Sequence, residues 1–300
     1  MEALNAAVGI PVPLIRGGAV LKGEGADGGN DDWMATCPPA GIVDGSHCVR
    51  LRYGRTAYCL KDVSPEPWEE NDSDGRPVVV LIHGLGFWSY VWTRLADSLL
   101  ATGRCKAVLV YDRYGRGFSD VAVDPTAEQP VRHSADLFAQ QLDDLLLAVR
   151  LRSGKKLREE RLVLGGTSMG GLIATKFAAV NPKLVVRLVL MAPCGLKPPV
   201  PFANLDTQLI RVWGIGHALY ACFGGGTQLR MMRQRKFRDD VPDLEKTNPS
   251  LLTELTAAMT WQLQQKPGYG WDFYRDVAHM PWGGMQEEVG AVGRETGMDV

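Results

Sequence analysis

The sequence, 300 residues long, predicts an α/β fold: a mostly parallel sheet with helices on both faces. Three observations carry the prediction. Continuous apolar, largely β-branched runs recur at 78–82, 107–111, 161–164 and 184–191, the pattern of strands buried on both faces. Segments at helical spacing separate them, over 91–101, 135–150 and 172–180, and strands that alternate with helices join a parallel sheet through crossover connections. After Pro193 the strand pattern stops and only helical patterns follow to about Met280, which predicts a helical insertion lying as a lid over the carboxyl edge of the sheet.

Taken in order, residues 1–45 are rich in Gly, Ala and Pro with few periodic apolar positions, and are expected to form a mobile arm. The core is expected over 46–195. It opens with short runs at 47–52 and 56–62 around Tyr53-Gly54-Arg55, a hairpin pattern, and a polar loop over 64–76 leads to the first buried strand. The helical cap is expected over 196–283, with helices at 205–223 and at 250–265, the latter entered through Asn248-Pro249 as cap and first turn. Residues 284–300 read as the start of a return to the core.

Composition removes several function classes. Lys and Arg total 33 against 34 Asp and Glu, and the basic stretch from Arg230 to Arg238 is interrupted by Met231, Met232, Gln234 and Phe237. Nucleic-acid binding therefore has no electrostatic support. No apolar run reaches the roughly 18 residues of a membrane span, and the N-terminus lacks the basic and apolar blocks of a signal peptide. The six cysteines contain no C-x-x-C pair, so free thiols in a reducing, cytoplasmic setting are expected. With no metal cluster or nucleotide loop, no cofactor is expected.

The chemistry concentrates at Gly166-Thr167-Ser168-Met169-Gly170-Gly171. A G-x-S-x-G pattern between a buried strand and an apolar helix puts its serine on a sharp, strained turn, where glycine two residues before and after avoids collision with the neighbouring strand and helix. Ser168 then stands at a helix N-terminus, where the dipole favours developing negative charge. Leu172 occupies the place of a P-loop lysine, which removes a phosphate loop. Directly after the strand 78–82 comes His83-Gly84-Leu85-Gly86; its turn can aim the Leu85 N–H outward, and that donor with the Met169 N–H would form an oxyanion hole. His83 is expected to brace this loop by hydrogen bonding rather than to act as a base. The segment from Asp112 to Asp120 lacks the third glycine of a dinucleotide fingerprint, and its Asp and Arg content reads as a supporting loop braced by local ion pairs.

Together, the His83-Gly84 turn, the Gly115-Arg116-Gly117-Phe118-Ser119-Asp120 ending, the elbow at Ser168 and Met191-Ala192-Pro193 resemble the α/β-hydrolase superfamily over about residues 47–300. The nearest branch is the capped serine esterases, lipases and carbon–carbon bond hydrolases, whose cap ends like Tyr274 to Gly284. The resemblance implies Ser168 as nucleophile and the Leu85 and Met169 amides as oxyanion donors. It also implies an acid and then a histidine on later strands. The tail at Gly297-Met298-Asp299-Val300 reads as the approach to a further strand, so those elements, roughly 55 to 70 residues, are expected beyond it. After Ser168 only His217 and His279 remain; both are expected to be partly exposed cap residues, and a pairing of His279 with Asp272 or Asp276 is at best local. Apolar cap residues, among them Trp213, Phe223, Met231, Met232 and Trp261, suggest a small hydrophobic or lipid-like ester as substrate and leave room for peripheral membrane contact. Two other readings stand beside the hydrolase: an inactive binding module of the same fold, and an enzyme of that fold doing acyl transfer or cofactor-free oxidation.

Overall fold

In a computed structural model the described residues are 42–64, 74–127, 131–195 and 249–280, with short pieces at 12–13, 15–16, 19–20, 37, 218, 285–286, 289–290 and 292. Apart from Ala218, the expected helix over 205–223 lies outside them, as do His217 and most of the N-terminal arm. Six strands make up the body of one seven-stranded mixed sheet: β1 (Ser46–Leu51), β2 (Gly54–Asp62), β3 (Val78–Ile82), β4 (Ala107–Tyr111), β5 (Leu162–Thr167) and β6 (Val185–Met191). Their order is β1-β2-β4-β3-β5-β6. The β1–β2 hairpin and the β2–β4 pair are antiparallel, whereas β4, β3, β5 and β6 run parallel. Val12–Pro13 pairs antiparallel with β1 at Cys48 and His47.

Every residue of β3 and β4 is buried, and the period of two divides them between two cores. Val78, Val80, Ile82, Ala107, Leu109 and Tyr111 face one core with α2 (Ala135–Ala148) and α3 (Met169–Val180). Val79, Leu81, Val108 and Val110 face the other, with Ala96 of α1 (Thr93–Ala101) and Ala258 and Trp261 of α4 (Pro249–Gln265). The two-faced burial expected from the unbroken apolar runs thus has a helix layer on each side.

Boundaries move where local chemistry decides them. The helix expected from Val91 begins as a 3₁₀ turn over Ser89–Trp92, because the Ser89 N–H donates to buried Asp112 at 2.8 Å and sets the chain's entry. Helix α2 starts at its Ser134 cap, whose hydroxyl accepts the Leu137 N–H. Helix α3 starts directly after Ser168.

Beyond α4 a turn with Gly268 at φ +72° leads into α5 (Tyr269–His279). These two helices lie on the loops leaving the carboxyl ends of β3 and β4. Gln262 accepts the Gly117 N–H at 2.7 Å and donates to the Gly86 carbonyl at 2.8 Å, and the Lys266 ammonium donates to the Ser119 carbonyl at 2.7 Å. Trp261, one of the apolar cap residues that suggested a substrate surface, packs instead against Trp88 and Phe118 with ring centroids 5.7 and 5.5 Å away. Among the described residues no helix is long and apolar enough to cross a membrane.

Candidate active site

The strand β5 ends at Thr167 and α3 begins at Met169, so the chain reverses on Ser168 alone. That residue takes φ +51° and ψ −118°, a conformation L-residues rarely hold and one that surrounding packing must over-determine. The packing is visible at the glycines. A Cβ on Gly166 would stand 2.5 Å from the Gly170 carbonyl carbon and 2.6 Å from the Gly171 nitrogen. One on Gly170 would stand 2.7 Å from the Ile82 carbonyl carbon and 2.8 Å from the His83 oxygen. The first would separate β5 from α3, and the second would push α3 off the end of β3. The Ser168 N–H is tied to the Met191 carbonyl at 3.0 Å, and its carbonyl accepts the Gly171 and Cys194 amides, both at 3.1 Å.

The loop after β3 runs alongside. A side chain on Gly84 would lie 3.4 Å from both the Ser168 Cβ and the Thr167 oxygen. Neither the Leu85 nor the Met169 N–H donates to any described residue. Ser168 is half-buried, and among the described residues its hydroxyl has no histidine or carboxylate partner. Beside Thr167 opens a cavity of about 350 Å³, walled by Phe87, Tyr90, Val91, Trp92, Leu251 and Leu255, with Arg94 and Glu254 also on its lining. Those two form an exposed ion pair at 3.7 Å.

His83 is fully buried. Its Nε2 accepts the Arg113 N–H at 3.0 Å, which leaves Nδ1 to carry the proton and donate to the Gly84 carbonyl at 2.9 Å. Burial, reinforced by the Arg113 charge, pushes its pKa well below the ordinary histidine value, so the ring is neutral. Asp112 is buried too. Its two oxygens accept the Ser89 and Phe118 N–H groups, each at 2.8 Å, and burial raises its carboxyl above the usual range despite those bonds.

The ion pairs described for the loop from Asp112 to Asp120 reach other elements, where the sequence expectation placed them within the loop. Asp120 pairs with Arg55 across the sheet edge at 3.0 Å. Arg113 and Arg116, both fully buried, pair with Asp276 of α5, Arg113 at 3.5 Å. His133 Nδ1 bonds the other Asp276 oxygen at 2.8 Å, and Arg113 and Arg116 stack on Phe138 and Tyr269 at 4.8 and 4.9 Å. Burial opposes the Asp276 charge, but Arg116, the His133 hydrogen bond and Arg113 hold the carboxyl well below its usual range. A charge at this depth requires compensating partners, and the loop's own carboxylates are committed elsewhere, Asp112 to backbone N–H groups and Asp120 to Arg55. Sequence reasoning did not see this cluster, because Asp276 lies 143 to 163 positions from its partners. His279 is half-buried, and the carboxylate of Asp276 is engaged elsewhere.

The model of the alpha/beta hydrolase family matches residues 79–288. The chain is 31% identical over 150 residues to a cis-3-alkyl-4-alkyloxetan-2-one decarboxylase of Xanthomonas campestris pv. campestris, covering 49% of this chain and 46% of that protein. It is 32% identical over 146 residues to a 2-hydroxy-6-oxononadienedioate/2-hydroxy-6-oxononatrienedioate hydrolase of Paraburkholderia xenovorans, covering 47% and 45%. The chain thus spans under half the length of these curated relatives. The enol-lactonase from Burkholderia xenovorans LB400 shares the fold with a TM-score of 0.51 and 16% identity, over 78% of this chain and 74% of that one. With the parallel sheet, the strained serine turn and a family match over more than half of its length, the chain belongs to the alpha/beta hydrolase family.

Proposed function

We propose that the protein is a serine hydrolase that cleaves a carboxylic ester, or a related acyl or carbon–carbon bond, of a small hydrophobic or lipid-like substrate through an acyl-enzyme on Ser168. The observation that carries this reading is the Ser168 turn itself. A non-glycine residue at φ +51°, clamped between glycines that admit no side chain, is strain of the kind that concentrates at reacting groups. In the reaction the Ser168 oxygen attacks the substrate carbonyl, and the tetrahedral oxyanion takes hydrogen bonds from the Leu85 and Met169 N–H groups, which have no acceptor among the described residues. Collapse expels the leaving group, and water then releases the acyl group. The apolar cavity beside Thr167 supports a hydrophobic acyl portion. The base that takes the Ser168 proton is not assigned among the described residues.

That same point favours a second reading, an inactive binding protein that uses the cavity. Covalent labelling by a fluorophosphonate, with the adduct mapped by mass spectrometry, separates the two. Adduct on Ser168, its loss in Ser168→Ala and a fall in ester turnover of about 10⁴-fold or more are expected for the hydrolase. Turnover retained by Ser168→Ala would refute the nucleophile, and binding of esters without adduct would establish the second reading.

A further inference from the structure

The Leu85 N–H and the Gly84 carbonyl belong to one peptide unit. Such a unit is planar and trans, so its C=O and N–H point in opposite directions, and whatever holds the oxygen also aims the hydrogen. Three donors converge on that oxygen. His83 Nδ1 lies at 2.9 Å, Arg113 Nη2 at 3.2 Å and the Phe87 N–H at 3.4 Å. Arg113 acts twice here, since its main-chain N–H, donating to His83 Nε2 at 3.0 Å, selects the tautomer that lets Nδ1 donate. Its guanidinium is itself held from α5 by Asp276, which also binds Arg116 and His133.

We propose that Arg113, anchored by Asp276, is a positioning residue that locks the Gly84–Leu85 peptide plane with its N–H presented to the oxyanion, so that seating α5 on the core completes the oxyanion hole. The inference rests on the reading of Ser168 as nucleophile and Leu85 as donor. A cationic donor on the carbonyl oxygen also polarises the peptide and strengthens its N–H as a donor. Arg116 supplies an internal comparison: it is equally buried and shares Asp276, and its guanidinium donates to the Gly115 carbonyl.

The test compares Arg113→Lys with Arg116→Lys in the full chain. Two readouts are used: amide hydrogen exchange over residues 83–88, and kcat and KM on p-nitrophenyl butyrate. Lysine keeps the charge toward Asp276 in both variants but cannot span from Asp276 to the Gly84 oxygen. Arg113→Lys is expected to speed exchange over 83–88 at least about fivefold and to lower kcat about tenfold or more, with KM within about threefold. Arg116→Lys, which loosens Asp276 without removing a donor to the Gly84 oxygen, should change exchange and kcat several-fold less than Arg113→Lys does. Unchanged exchange in Arg113→Lys overturns the inference, as does an equal fall of kcat in the two variants, which would mark general cap docking. Should Arg113→Lys not fold, Asp276→Asn takes its place, and unchanged exchange over 83–88 overturns the anchoring. Fluorophosphonate labelling of wild type keeps the two claims apart: no Ser168 adduct sinks the nucleophile, whereas the exchange comparison still decides whether Arg113 pins the peptide.

Discussion

Replacing Gly170 by alanine tests the geometry on which the active-site reading depends. The added Cβ would stand 2.7 Å from the Ile82 carbonyl carbon and 2.8 Å from the His83 oxygen, about 1 Å inside the roughly 3.5–4.0 Å of an unstrained carbon contact. Both neighbours are backbone at the end of β3, paired on each side by β4 and β5, so neither can rotate away as a side chain would. Alanine gains about 1 kcal/mol over glycine in a helix. Overpacking against a fixed neighbour costs about 3 kcal/mol at the upper end of its usual range, which leaves a net loss of about 2 kcal/mol. Urea unfolding should register that loss, and the melting temperature should fall by roughly 2–4 °C per kcal/mol for a domain of this size. Gly75→Ala is the control, because nothing lies within 4 Å of its Cβ; it should change stability by no more than about 0.4–1 kcal/mol, in the stabilising direction. Because Gly170 follows Met169, the proposed oxyanion donor, Gly170→Ala should also lower kcat on p-nitrophenyl butyrate more than it raises KM. A Gly170→Ala protein that unfolds and turns over with wild type would refute the packing of α3 against β3 and the oxyanion geometry drawn from it.

The cavity beside Thr167 predicts that kcat/KM for p-nitrophenyl esters rises about three- to fourfold per added methylene, from about 0.8 kcal/mol of transfer energy each, until the pocket is full. Leu255→Trp, on the cavity wall, should flatten that rise, and a flat wild-type profile would remove the pocket as the acyl site. Lys266 carries a pH signature. Burial lowers its pKa to about 8 against the carboxylates around it, so above that value the unfolded chain binds the extra proton and stability rises with pH. Compared with Lys266→Met, wild type should gain about 1–2 kcal/mol between pH 7 and 9.5; a difference that is constant or falls over that interval, measured by urea unfolding at each pH, would refute the burial of the ammonium.

What the sequence made legible was local. The elbow needs only residues within three positions of Ser168, and the apolar runs of β3 and β4 are unbroken, so periodicity and glycine spacing revealed both. The strand at 161–164 was read short because it runs on through Gly165, Gly166 and Thr167, where small residues replace the apolar signal. The cavity could not be read at all: its wall combines Phe87 to Arg94 with Leu251 to Leu255, which adjoin only after folding. The Asp112 loop was legible as a support, but its arginines were assigned to the wrong carboxylates because only near neighbours can be paired by eye.

The buried cluster around Asp276 has a purpose that stability alone does not supply. An ion pair moved out of water loses hydration comparable to what its Coulomb attraction returns, and an apolar replacement of similar volume often serves as well. Apolar contact was available here, since Tyr269, Phe273 and Phe138 already surround the guanidinium groups. Apolar packing alone, however, tolerates rotation or axial slippage of a helix, whereas one carboxylate shared by Arg113, Arg116 and His133 admits a single placement of α5. The Gly115 turn closes that choice from the other side, because a Cβ there would collide with Asp272. Arg113 carries the same constraint to the Gly84 carbonyl. The loop whose amide is assigned to the oxyanion therefore takes its orientation from a helix more than 180 positions later in the chain, and the charges fix a direction that greasy contact would leave free.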